Sequence, residues 1–77
     1  DSALLEISHI EKVLSASLLH PQASIGELKD LGKHQSKHSI MVYGKNVGKD
    51  TICAVCRYVM GTAAFEDDFY VPVEVID

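Results

Sequence analysis

The stretch Asp50-Thr51-Ile52-Cys53-Ala54-Val55-Cys56-Arg57-Tyr58-Val59-Met60 decides how this chain is read. Its apolar residues Ile52, Val55, Tyr58 and Val59 recur at helical spacing. Asp50 or Thr51 suits an N-cap and Gly61 suits a C-terminal stop. The stretch therefore predicts a helix running to about Met60.

Upstream, Ser39-Ile40-Met41-Val42-Tyr43 reads as a strand, rich in apolar and strand-favouring residues. Between strand and helix lies Gly44-Lys45-Asn46-Val47-Gly48-Lys49-Asp50, a glycine-rich turn with lysines. A phosphate-binding loop needs four residues between its glycines and a Ser or Thr after the lysine. This turn has three, and Asp50 stands where the hydroxyl belongs, setting a negative charge near any phosphate. Nor is there chain enough for the long parallel sheet such proteins use. The turn reads as a strand-to-helix connection, its glycines supplying positive φ and Asp50 capping.

Further out, Ser8-His9-Ile10-Glu11 and Ser24-Ile25-Gly26-Glu27 both fit the S-x-x-E capping box. The first predicts a helix from about His9 to Leu19, with Ile10, Val13, Leu14 and Leu18 on one face. The second predicts a short helix from Ile25 to Leu31, closed by Gly32. Ala3, Leu5 and Ile7 alternate with Leu4, Glu6 and Ser8 as in a short strand. Phe69 to Ile76 reads as a last strand, with Pro72 confining it to an edge or a bulge. Glu66-Asp67-Asp68 reads as a loop of solvated acids. The expected fold is α+β: a small α/β sandwich over residues 1–77, a single domain with helices packed on one face of an antiparallel sheet. Three strands leave open edges for another chain to extend.

Cys53-x-x-Cys56 near a helix start has the form of a redox pair. A thioredoxin-like domain, however, needs a longer sheet and a proline-bearing strand further on than Pro72. The two cysteines can close a small local disulfide, bond elsewhere, or stay free. His34-x3-His38 with Cys53 and Cys56 has zinc-like spacing, in reversed order from the common finger. These four are weak metal candidates. No Ser-His-Asp grouping has local support, so the chemistry points to a binding or assembly protein and not an enzyme, with no cofactor.

With 77 residues, the chain makes one small domain with a marginal core. An apolar fraction of 47% in so short a chain hints at burial against something else. Formal charge is -4, unevenly spread: residues 29–57 are basic, and no base follows Arg57, where Glu66, Asp67, Asp68, Glu74 and Asp77 lie. The negative total and a single aromatic in the basic stretch argue against nucleic acid. No run of about 20 apolar residues is present to span a membrane as a helix. A first residue other than Met suggests release from a precursor or excision.

Residues 39–76 resemble the strand, Cys-bearing helix and strand of the small secreted killer toxins of fungi. The resemblance rests on Ser39, Ile40 and Tyr43, a polar Gly/Asn loop, the Cys56-Arg57 pair and the late strand "FYVPVEVI". Length, acidity and low cysteine count are most similar to the larger subunit of the two-chain, salt-dependent members. Relatives are richer in cysteine. The resemblance implies a secreted chain cut from a precursor, a sandwich of split β-α-β units completed by a second, strongly apolar subunit from the same precursor, and disruption of the target-cell membrane favoured by acid and salt. It also suggests an acid switch. If Glu66, Asp68, Glu74 and Asp77 crowd together or sit at the subunit contact, their pKa values rise and stability falls as pH rises through them.

Overall fold

The computed structural model describes residues 2–76, and it is nearly all β. Six strands follow one another: β1 (Ser2–Ser8), β2 (Lys12–Leu18), β3 (Gly26–His34), β4 (Lys37–Gly44), β5 (Gly48–Met60) and β6 (Ala63–Val75). They form two antiparallel three-stranded sheets, ordered β1-β4-β3 and β2-β5-β6. Among the described residues there is no α-helix, only a 3-10 turn at Pro21–Ala23. The expected α+β fold, with helices packed on a sheet, is therefore wrong, and all three predicted helices are strands or connections.

The reason is clearest in β5. Asp50, Ile52, Ala54 and Cys56 are buried while Thr51, Cys53, Val55 and Arg57 are only partly covered. That is a period of two, the signature of a strand with one face in the core. The same residues offered a helical spacing through Ile52, Val55 and Val59. Thr51, Ile52, Val55 and Val59 are β-branched, which suits the pleat and crowds a helix. The capping boxes fail for a related reason. Ser8–Glu11 spans the crossing from β1 to β2, with His9 at φ 62°, and Ser24 takes φ 55° ahead of β3. A cap stabilises a helix only if a packed helix follows.

Register places the inner faces opposite each other. In the first sheet Ile40 lies between Leu5 of β1 and Asp30 of β3. In the second, Ile52 lies between Leu18 of β2 and Val71 of β6. Ile40 is 0% exposed and Ile52 1%, and Ile25 closes one end of this core. Gly48 is required there: a Cβ would meet Ile25 Cγ2 at 2.8 Å.

The connections are short. Met60 pairs with Ala63 around Gly61, whose φ of 64° fits the first position of a type II′ turn. The β5–β6 hairpin has 13 residues per strand, whereas β1, β3 and β4 have 7 to 9. At about 3.3 Å per residue, the hairpin spans nearly the whole 46 Å long axis of the molecule. The first sheet is too short to cover it, and Ala63–Tyr70 are exposed throughout.

Ile40→Ala should cost about 3 kcal/mol in urea unfolding, and Gly48→Ala about 1–3 kcal/mol through its clash with Ile25. Both variants should keep a β-type circular dichroism spectrum; a helical spectrum in the parent chain would refute the architecture.

Candidate functional site

The uncovered end of the hairpin carries the most distinctive surface. Tyr58 lies opposite Phe65, Cys56 opposite Asp67 and Ala54 opposite Phe69. These residues share the face that further along the strands forms the core. The β5 members Ala54 and Cys56 are buried, but their β6 partners are left open: Phe65 is 45% exposed and Phe69 42%. The Tyr58 and Phe65 rings stack, centroids 5.6 Å apart and 25° between planes. Tyr58 Oη donates to Asp67 Oδ2. That hydrogen bond, with some burial and the nearby negative charge, raises the phenol's pKa. The result is an aromatic shelf with one fixed carboxylate, able to pack against another chain.

Beside it, β6 is an edge strand, paired with β5 on one side only. Glu66, Asp68 and Glu74 of the expected acid switch lie on the opposite face of this strand, across from Arg57, Val55 and Lys49. They are strung out at every second or later residue, and Glu66 to Glu74 spans roughly 27 Å. They therefore do not gather into one crowded cluster, and Arg57 turns to Glu11, 3.6 Å away. Asp77 lies outside the described residues.

The metal candidates are not brought together. His34 is exposed at the end of β3 and His38 is buried on the inner face of β4. Cys53 and Cys56 are in the other sheet. Among the described residues, no three His, Cys, Asp or Glu side chains are grouped to hold a metal. Cys53 and Cys56 are free thiols. Three residues apart on a regular strand, they point to opposite faces and sit roughly 10 Å apart, too far for a local disulfide. A disulfide between them is therefore incompatible with this fold. Cys56 is fully buried, which raises its pKa.

The turn at Gly44–Gly48 is no phosphate cradle. The Lys45 and Asn46 N–H groups both donate to the Ile25 carbonyl, and Asn46 Nδ2 donates to the Ser24 carbonyl. Lys45 Nζ pairs with Glu27, 3.4 Å away. These amides are already used to tie the β4–β5 connection to the chain before β3.

Sequence reasoning missed two His–Asp pairs. The Asp50 carboxylate is 0% exposed and accepts from Thr51 N at 2.7 Å, from His20 N at 3.1 Å and from His20 Nδ1 at 3.1 Å. Asp30 accepts from His38 Nε2 at 2.6 Å and from Gly32 N at 2.7 Å. Burial opposes ionisation of both, but hydrogen bonds and the histidine charge outweigh it. Both carboxyls are held below the usual range. His20 and Asp50 lie 30 residues apart and Asp30 and His38 eight apart on neighbouring strands, spacings that match no local motif. No hydroxyl or thiol nucleophile hydrogen-bonds to either pair among the described residues. A concavity of about 360 Å³ opens between β1 and β6 and is lined by Leu5, Leu18, Ile25, Val42, Ile52 and Val73.

Comparison with protein-family models, curated proteins and solved structures finds no match.

Two outcomes are expected. A carboxyl with a lowered folded pKa stabilises the fold above its unfolded value, about 3.9. That stability is lost as pH falls through the folded pKa. Thermal unfolding should therefore show a drop in stability below about pH 4. Asp50→Asn should be less stable at neutral pH and show a shallower acid limb. Second, a thiol reagent should label Cys53 readily and Cys56 only when the chain opens. Equal mass with and without reductant is expected; a disulfide mass would contradict the register.

Proposed function

We propose that this chain is a non-catalytic subunit of a secreted killer toxin, assembling with a second, apolar chain to disrupt the membrane of a target cell. One observation carries the reading: the inner face of the β5–β6 hairpin runs on past the first sheet, leaving Phe65 and Phe69 over 40% exposed. Large aromatics continuous with a core mark a surface awaiting cover. Covering the rest of both rings removes roughly 150–200 Å² of apolar surface, worth about 4 kcal/mol. That is enough to bias assembly, with the remainder supplied by the partner's other contacts. The exposed residues Val59 and Met60 extend the apolar character to the hairpin tip.

The toxin part of the reading comes from the sequence resemblance in residues 39–76. Its Ser39, Ile40, Tyr43, Cys56 and Arg57 are strand residues here, so it no longer carries an expected architecture. Isolated His–Asp pairs and separated thiols favour assembly over catalysis. Acid and salt remain as expected promoters of action. The acid limb from Asp30 and Asp50 sets a floor below which the lone chain weakens.

Size-exclusion chromatography and mass spectrometry of the protein as its producing cells release it test this. A second, apolar polypeptide from the same precursor should co-elute, and Phe65→Ser/Phe69→Ser should dissociate the pair while keeping β structure. Elution of this chain alone would sink the reading.

A further inference from the structure

We propose that β6 is an acceptor edge for one extended basic strand of the partner, in which two Lys or Arg residues two positions apart lie between apolar residues. This rests on the reading that the chain works with a partner. The sandwich has four edge strands, β1, β3, β2 and β6. Edges invite unwanted pairing and are usually blunted by bulges or shortness. β3 has a register break between Asp30 and Gly32, and β2 between Val13 and Ser15. β1 is short, at 7 residues. β6 alone is long and keeps an unbroken register from Ala63 to Val75. Pro72 cannot donate to an added strand, so the uninterrupted part is Ala63–Val71.

Side chains on that part set what can pair with it. Phe65 and Phe69 lie on the inner side and Glu66 and Asp68 on the outer. Neither Glu66 nor Asp68 makes an ion pair within 4.0 Å among the described residues. Asp67, between the rings, is already satisfied by Tyr58. Directly opposite positions on an added antiparallel strand share a face. The complementary strand therefore reads apolar, basic, any residue, basic, apolar. Its main chain completes the edge, its apolar residues cover the two rings, and its bases meet the two carboxylates.

A second copy does not fit. Pairing β6 with itself about Asp67 sets Glu66 opposite Asp68 twice, and like charges directly opposite are unfavourable. The chain's own bases, Lys12, Lys29, Lys33, Lys37, Lys45, Lys49 and Arg57, are never closer than four residues apart. It holds no strand of the required pattern. The acids thus guard the edge against self-association and select a basic partner.

The probe is a synthetic peptide with the core Val-Lys-Thr-Lys-Val, compared with the same peptide carrying Glu for both Lys. Fluorescence anisotropy should show saturable binding of the Lys peptide and roughly tenfold weaker binding of the Glu peptide. Glu66→Lys/Asp68→Lys should invert that preference, and hydrogen exchange should show protection at Ala63–Val71. Absence of saturable binding, or a preference unchanged by the double substitution, would overturn the proposal. If the peptide fails while a second chain still co-elutes, the acceptor edge falls and the assembly reading stands. If the peptide binds and no second chain is found, the reverse holds.

Discussion

Everything in this fold depends on the alternating burial of β5. It is the central strand of its sheet, flanked by β2 and β6. Every second residue from Asp50 to Cys56 is sealed against the opposite sheet, whose own central strand contributes Ile40. In a chain of this size a few such residues constitute the core. The hydrophobic gain is proportional to area, so it exists only where both sheets overlap. The shorter strands of the first sheet fix where that overlap ends. The core and the exposed aromatic shelf are thus one continuous surface, covered at one end and bare at the other.

Asp50 is the polar member of that alternation. An ionised carboxylate without solvent contact is costly unless it is hydrogen-bonded. Here the His20 amide and ring and the Thr51 amide satisfy it. The interaction ties the segment between β2 and β3 to β5, across 30 residues. Asp30 and His38 do the same between β3 and β4, over a shorter span. Fold stability is consequently linked to two carboxylates outside the acidic tail. The tail's own acids decorate an edge, where their effect is on what approaches.

That division of labour is what the proposed assembly role rests on. Its interior is small and closed by short turns, and its longest edge is unprotected except by charge. A carboxylate pair on an edge strand does two things at once: it repels a like strand and attracts a basic one. The aromatic face beneath adds the apolar area that charge alone does not supply.

By itself, the sequence determined a good deal. It set the glycine-bearing turn at Gly44–Gly48, a strand at residues 39–43, one near the N-terminus, one covering most of 69–76, and an acidic C-terminal part. It read the loop at Gly44–Gly48 as a plain connection, and in the fold its amides are taken up by the Ile25 carbonyl. It did not determine whether residues 50–60 form a helix or a strand. Ile52, Val55 and Val59 satisfy one period and Ile52, Ala54 and Cys56 the other, and local capping signals favoured the first. Nor did the acids at 66–68 look like part of a strand. The alternation Phe65, Phe69, Val71, Val73, Val75 is visible only once Asp67 is accepted on the apolar side. Tertiary structure decided both, because a strand is stabilised by the ladder and burial it finds in the folded sheet, not by its own residues. β5 gains one of its two ladders from β2, far upstream, and its burial from the opposite sheet, neither of which a local window contains. The His20–Asp50 pair and the bare shelf belong to the same class: they exist only where distant segments meet, or where one segment outruns the other.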